Sequence, residues 1–509
     1  MTTRRIVVIG GLFASLLVTL LVTAAEGVRA EDTVVERPVS FQVVNRNTSG
    51  VACPFDNLPY TVQGHVVGPL SALEASGSRA ITVYVHGFSM GEPNWAFKGV
   101  PGYDLPVELA KLGHISLTIN RLGYLSSDHP PGFQSCLGTA ADVVHQIIGQ
   151  LRSPGVELPG GDRVTFSTVV LAGHDTGAEA VQIEAYSFRD IDGLMVAGFA
   201  DTGFTQEVTE WSLEAGAVCA QGGEPSSRGA PNYHHFPAKS DEELRQDDAL
   251  LHRVFYNTDE AVIEAVFDDA RELNPCGDLA SVPTGVASDL ARLQEITAPV
   301  LYVLGDHDFG FSREGGERQA ALYGVNGDVT SVIMENTGHF LMMGRTAPQF
   351  RAIINDWLCS RGFVTGGSCA STAGKVTGGG QIDGGDPVFS PTGDLLTLPA
   401  ITPSAASGAQ ANFGMVVQYG SRDAAPRGNL NYRDHGTGDQ IKATSFNGLI
   451  ISGNHATITG VATVNGAAGK RFRVEIDDLA AGDAFTIEVL DGGYSNSGPV
   501  IGGNIKIHH

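Results

Sequence analysis

Asp175 occupies a position from which a side chain can react. Residues 167–172 (Ser-Thr-Val-Val-Leu-Ala) pattern as a strand and residues 177–186 as a helix, so Gly173-His174-Asp175-Thr176-Gly177 must turn tightly between them. Small residues two before and two after the central aspartate fit such a turn, because larger ones would meet neighbouring backbone. A carboxylate held there suits displacement at saturated carbon, leaving an alkyl ester that water must cleave, whereas a serine would attack carbonyl carbon. Two later apolar strands, residues 299–305 and 329–334, run out into Gly305-Asp306-His307-Asp308 and Asn336-Thr337-Gly338-His339-Phe340, which add carboxylates and an imidazole.

Gly173-His174-Asp175-Thr176-Gly177-Ala178 resembles the Gly-x-nucleophile-x-Gly turn of the α/β-hydrolase fold family, in the aspartate form carried by epoxide hydrolases and, more loosely, haloalkane dehalogenases. The resemblance implies the chain order nucleophile, acid, histidine. It places the acid at Asp308, by the match of Gly305-Asp-His-Asp308 to Gly-x-x-Asp, and the base at His339. Asp201 is the alternative acid, since some relatives place it at the end of the preceding strand. An oxyanion hole is implied at the backbone N–H groups of Phe88, in His86-Gly87-Phe88, and Thr176. His86 reads as a structural histidine holding that loop. Arg121-Leu-Gly123 resembles the family loop that shapes the pocket wall, and Asp128 with His129 reads as a solvated loop pair.

The same resemblance makes the long interruption at about 202–295 a cap that sets substrate choice. Lid tyrosines in the family protonate the leaving alkoxide; Tyr233 and Tyr256 are the candidates here, and each also reads as a packing tyrosine. One departure matters. Thr176 stands where these relatives carry tryptophan, so the indole N–H that binds a leaving halide is missing, which ranks epoxide opening above dehalogenation. The chemistry implied needs no metal or organic cofactor. Asp306 and His307 are adjacent at a strand end and are expected to point to opposite faces, which argues against a metal cluster with Asp308.

The elements around these residues outline two domains, as 509 residues lead one to expect. Strands at 34–44, 60–67, 79–85 and 114–120 precede the turn, with helices at 105–112 and 139–151, the latter apolar at Val143, Val144, Ile147, Ile148 and Leu151. A helix at 348–358 closes the first domain. A Gly/Ser/Thr-rich linker, 366–374, leads into short alternating strands with Gly/Asn turns, the pattern of an all-β sandwich or barrel. Lys375-Val-Thr-Gly-Gly-Gly380, Asn429-Leu-Asn-Tyr432 and the closing Gly-Gly-Asn-Ile-Lys-Ile-His508 resemble the post-COAP domain of secreted bacterial proteins, which implies an accessory module. The fold expected is therefore α/β, an α/β-hydrolase fold over residues 31–365 with a mainly helical cap, followed by a smaller all-β sandwich-like domain over 375–509.

Arg4-Arg5, the apolar run 6–25 and Val28-Arg29-Ala30 read as an export signal cleaved after Ala30, with an uncleaved membrane anchor as the competing reading. Six cysteines in an exported chain suggest disulfides, and neighbour logic pairs Cys53 with Cys136, Cys219 with Cys276, and Cys359 with Cys369. A net charge of −24 argues against nucleic acid as a partner. The expected partner is a small-molecule substrate, with extracellular contact through the C-terminal domain. The leading function is a secreted, epoxide hydrolase-like enzyme using Asp175, His339 and Asp308. The alternatives are an esterase- or lipase-like hydrolase with an altered nucleophile, and a catalytically inactive binding protein.

Overall fold

The computed structural model describes residues 33–75, 77, 79–159, 163–269, 271–323, 328–365, 375–382, 410–418, 426–452, 455–479, 482–489 and 494–508. The expected signal segment, the linker and Cys369 lie outside the described residues. Among those described, no helix is long and apolar enough to cross a membrane.

Eight strands build the first sheet: β1 (Val34–Val44), β2 (Pro59–Pro69), β3 (Ala80–Val85), β4 (Ser116–Ile119), β5 (Thr168–His174), β6 (Gly193–Ala197), β7 (Val300–Gly305) and β8 (Val329–Met334). Their order is β1-β2-β4-β3-β5-β6-β7-β8. Only the β1–β2 and β2–β4 pairs are antiparallel, and every pair from β4 onward is parallel. Parallel strands covered on both faces must be apolar on both, and β3, β6 and β7 are buried throughout. Alternation then divides each run between two cores. Ile81, Val83, Leu171, Leu194 and Tyr302 enter one, while Tyr84, Val170, Met195 and Leu301 enter the other.

Helices α1 (Leu70–Glu74), α2 (Leu105–Ala110), α3 (Leu137–Arg152), α4 (Thr176–Phe188), α5 (Gln206–Ala220), α6 (Asp241–Gln246), α7 (Asp248–Val254), α8 (Glu260–Asp269), α9 (Cys276–Arg292), α10 (Arg313–Leu322) and α11 (Ala347–Ser360) complete the domain. Side chains of α3 and α4 fill the first core; those of α2 and α11 fill the second. The cap expected at 202–295 is helical in α5 to α8, with a short antiparallel bridge joining Tyr233–His234 to Asn274–Pro275. Its last helix, α9, packs instead on α3 and α4. The reason is steric. Gly285 of α9 lies so close to Glu179 that a β-carbon there would sit 2.0 Å from its carboxylate.

The second, all-β domain expected over 375–509 closes as an antiparallel barrel in simple sequential order: β9 (Lys375–Ile382), β10 (Ala411–Gln418), β11 (Arg427–Asp434), β12 (Gln440–Ser452), β13 (His455–Val464), β14 (Ala467–Asp477), β15 (Ala484–Val489) and β16 (Tyr494–His508). Closure comes from β9, which pairs with both β10 and β16 and so leaves no free edge. Inward residues such as Val376, Met415, Leu430, Phe472 and Ile487 fill its interior.

Two of the expected disulfides form, Cys53–Cys136 and Cys219–Cys276. The second joins the end of α5 to the start of α9 across 57 residues, closing the base of the cap. Loop-closure entropy assigns a cross-link of that span about 4 kcal/mol. The Cys219→Ser/Cys276→Ser double variant should lose about 2–4 kcal/mol in denaturant melts and be cut first within residues 206–275 in limited proteolysis; unchanged stability and cleavage would show that the cap does not depend on this bridge.

Candidate active site

Asp175 adopts φ 53° and ψ −131°, a backbone conformation that costs a non-glycine residue roughly 1–3 kcal/mol and persists only where its surroundings enforce it. Those surroundings are tight. A β-carbon on Gly173 would lie 2.4 Å from the Gly177 carbonyl oxygen, one on Gly177 2.4 Å from the His86 carbonyl oxygen, and one on Gly87 2.4 Å from the Asp175 side chain. The Asp175 N–H donates to the Ala197 carbonyl (3.1 Å), and its own carbonyl accepts from Ala178 N–H (2.8 Å), which starts α4. The carboxylate thus stands at a helix N-terminus, the favourable end for an anion.

One carboxylate oxygen is fixed. Phe88 N–H donates to Asp175 Oδ2 at 2.8 Å, so the backbone donor expected in the oxyanion hole already holds the nucleophile candidate. Asp175 Oδ1 lies 3.9 Å from His339 Nε2, beyond a hydrogen bond. On the other side of the ring, His339 Nδ1 meets Asp308 Oδ2 at 2.9 Å and Oδ1 at 3.1 Å. Asp308 Oδ1 also accepts from the N–H groups of Gly310 and Phe311 at 2.8 and 3.2 Å, which sets its orientation. Burial pushes the His339 imidazole down; the Asp308 charge and hydrogen bond, aided by Asp175, outweigh it and raise its pKa above the ordinary 6.5.

The supporting histidines hold backbone. His174 is fully buried; its Nε2 donates to the His339 carbonyl (2.9 Å) and its Nδ1 lies 3.1 Å from the Asn94 side chain. His86 Nε2 accepts from Arg121 N–H (3.0 Å) while Nδ1 faces the Gly87 carbonyl (2.8 Å), an arrangement for a neutral ring. Burial, with Arg121 nearby, holds His86 well below the usual imidazole range.

Several expectations need correction. Tyr233 is buried with its hydroxyl donated to the Pro130 carbonyl (2.8 Å), and Tyr256 gives its hydroxyl to Asn336 Oδ1 (3.1 Å) while its ring stacks on His307. Neither lines the cavity above Asp175. Asp201 is held by Gln319 (2.6 Å) and Gln182 (3.2 Å) and has no bond to His339, whose acid partner is Asp308. Arg121 forms a buried pair with Asp278 at 3.0 Å beneath the cap and does not line the cavity. Asp128 and His129 are half-buried: Asp128 accepts from Thr61 N–H (2.6 Å), and His129 stacks on Tyr233. Asp306 and His307 meet at 2.8 Å, because the strand ends at Gly305 and both lie in the turn after it.

Sequence reasoning missed Asn274, whose Oδ1 accepts from Ser89 N–H (2.6 Å) and Tyr124 O–H (3.2 Å) and so braces the loop that carries Phe88. A lone asparagine far along the chain gives no signal of this. It also missed the character of the cavity, which encloses about 960 Å³, part of it open to solvent. Phe88, Phe204, Phe236, Phe267, Phe309 and Phe340 are among its walls, together with Asp175, Thr176 and His339. The cap and the loops after β6 and β7 supply most of these rings.

A family model described as "Alpha/beta hydrolase family" matches residues 82–352, a little over half of the chain. Among solved structures, a monoacylglycerol lipase of Paleococcus ferrophilus is 18% identical with a TM-score of 0.42, over 56% of this chain and 96% of that one. A thermophilic esterase from Thermogutta terrifontis is 18% identical with a TM-score of 0.43, over 64% and 100%. A bromoperoxidase from Bacillus anthracis is 15% identical with a TM-score of 0.41, over 63% and 99%. Likeness at this level adds nothing to the family match. No curated protein matches the sequence. The matched span begins in β3, ends in α11 and encloses Phe88, Asp175, Asp308 and His339, so the chain belongs to the alpha/beta hydrolase family.

Proposed function

We propose that this protein hydrolyses an apolar organic substrate through an alkyl ester on Asp175, in the manner of an epoxide hydrolase. The hydrogen bond from Phe88 N–H to Asp175 Oδ2 carries the reading. With Oδ2 held, Oδ1 is the oxygen left to attack saturated carbon. The carbon–oxygen bond of the epoxide breaks as the new ester bond forms, and the departing oxygen takes a proton from water in the solvent-open cavity. Oδ2 becomes the ester carbonyl oxygen and already rests on its donor.

His339 Nε2 then removes a proton from water, and the hydroxide attacks the ester carbon of Asp175. Negative charge collects on Oδ2, where the Phe88 N–H, and by position that of Thr176, stabilise it. Collapse breaks the ester carbon–oxygen bond, the hydroxyl proton passes to the leaving alkoxide to give the alcohol and restore the carboxylate, and His339 returns its proton to solvent. Asp308 keeps the His339 ring oriented and stabilises the imidazolium. Because neither Tyr233 nor Tyr256 lines the cavity, neither is assigned the protonation of the alkoxide.

An esterase reading is weaker for a geometric reason. A substrate carbonyl would need the donor that Asp175 Oδ2 occupies. The phenylalanine-walled cavity supports an apolar substrate, since such rings offer contact area and no compensation for buried polar groups.

Incubating a His339→Gln variant with epoxides, haloalkanes and activated esters should trap the first half-reaction. Intact-mass spectrometry is expected to show an adduct that maps to Asp175, is missing from an Asp175→Asn control, and names the substrate class by its mass. No adduct together with no wild-type turnover would favour a binding protein. Turnover also has a definite pH direction. His339 works as a base only when neutral, so its raised pKa should put the acidic limb of the rate profile above pH 6.5. Replacing Asp308 with Asn should move that limb to lower pH and slow turnover by roughly 10²–10⁴-fold; an unmoved limb would remove Asp308 from this role.

A further inference from the structure

On the outer side of α3 and α4, away from the cavity, His145, Glu184 and Asp190 bring one nitrogen and two carboxylates together. Their nearest ligand atoms all lie within 4.8 Å of one another. His145 Nδ1 is 2.9 Å from Asp190 Oδ2 and 3.9 Å from Glu184 Oε1. Glu184 is fully buried, and among the described residues no donor reaches either of its carboxylate oxygens or Asp190 Oδ1. The neighbouring guanidinium, Arg152, is turned to the Asp190 backbone carbonyl and to Asp192. A single imidazole proton cannot satisfy both carboxylates, and a buried carboxylate without a donor either takes up a proton, the direction in which burial and Asp190 push Glu184, or is compensated by a cation that displaces that proton.

We propose that these three side chains bind a divalent transition cation of the zinc class, His145 through Nδ1 and each carboxylate through one oxygen, and that the ion clamps α3 to α4. Four-coordinate zinc with bonds of roughly 2.0–2.1 Å separates its ligands by roughly 3.3–3.4 Å. The observed separations of 2.9 and 3.9 Å bracket that spacing, so small side-chain movements close the site. The Phe188 ring stacks on His145 at 4.0 Å and 7°, which fixes the imidazole plane. Side-chain exposures of 32% for His145 and 27% for Asp190 leave a path for the ion and room for water as a fourth ligand. A mixed nitrogen and oxygen set favours this class over calcium or magnesium, which prefer oxygen alone. Glu184 lies nine residues beyond Asp175 along α4, roughly 13 Å at the helical rise. The ion is therefore a structural clamp on the helix that begins at the nucleophile turn.

The test uses the full chain stripped with a chelator, then titrated with zinc while bound metal and melting temperature are followed. The wild type is expected to bind one more equivalent than Glu184→Gln or His145→Gln, and its melting temperature should rise on zinc addition. That zinc-dependent rise should be lost in both variants, which circular dichroism should show to be folded. Glu184→Gln alone is free to raise stability by removing a buried charge, so the zinc-dependent difference is the readout. Equal zinc content in all three proteins, or no zinc bound by the wild type, would overturn the proposal.

Discussion

The backbone amide of Phe88 and the carboxylate of Asp175 constrain each other, and much of the domain serves that contact. For the 2.8 Å bond to form, β3 and β5 must lie side by side with matched ends, since Phe88 follows one and Asp175 the other. The turn must also be so crowded that Gly177, against the His86 backbone, Gly173, against the start of α4, and Gly87, against the Asp175 side chain, can carry no side chain. The positive φ of Asp175 is sustained by this crowding together with the bonds to Ala197 and from Ala178. A strained residue kept by its surroundings presents its carboxylate at the same place in every molecule, which is what a reaction at a fixed distance requires.

The cap is tied to this contact through polar groups rather than through packing alone. Arg121 and Asp278 meet where both side chains are almost fully buried, and Tyr124 bridges them to Asn274, which holds the residue after Phe88. A buried ion pair adds little net stability, but breaking one member leaves the other uncompensated. The network therefore specifies one seating of the cap base. A second buried network, Gln182 with Asp201, Asp289, Gln319 and Tyr323, joins α4 to α9 and α10 behind Asp175. Burial pushes Asp289 and Glu179 well above the usual carboxylate range, helped at Asp289 by the charge of Asp201 and at Glu179 by that of Asp289, so both favour their neutral forms.

What was legible in the sequence followed from short-range rules. The strand, turn and helix about Asp175 run continuously from Thr168 to Phe188, β7 ends in Gly305 three residues before Asp308, and β8 is followed within five residues by Gly338-His339. Alternating strands in 375–508 showed an all-β domain, but a sandwich and a barrel share that pattern. Pairing of the first strand with the last, β9 with β16, separates the two, and no local signal reports it. The lid tyrosines failed for the same reason: a tyrosine in a cap segment has one identity in sequence and either of two directions in space. Tyr233 turned to Pro130, 103 residues away in the chain.

The sequence by itself determined the element types and offered Asp175, His339 and two candidate acids, because each depends on residue identity and near neighbours, whereas the cysteine pairs span 83 and 57 residues and are closed by the fold. Tertiary structure decided which oxygen of Asp175 is held, which acid faces His339 and which rings line the cavity. It also decided whether His145, Glu184 and Asp190 meet at all. Those outcomes depend on the packing of α3 on α4, the cap on its base and the loops on one another, where a shift of one or two ångströms makes or breaks a hydrogen bond.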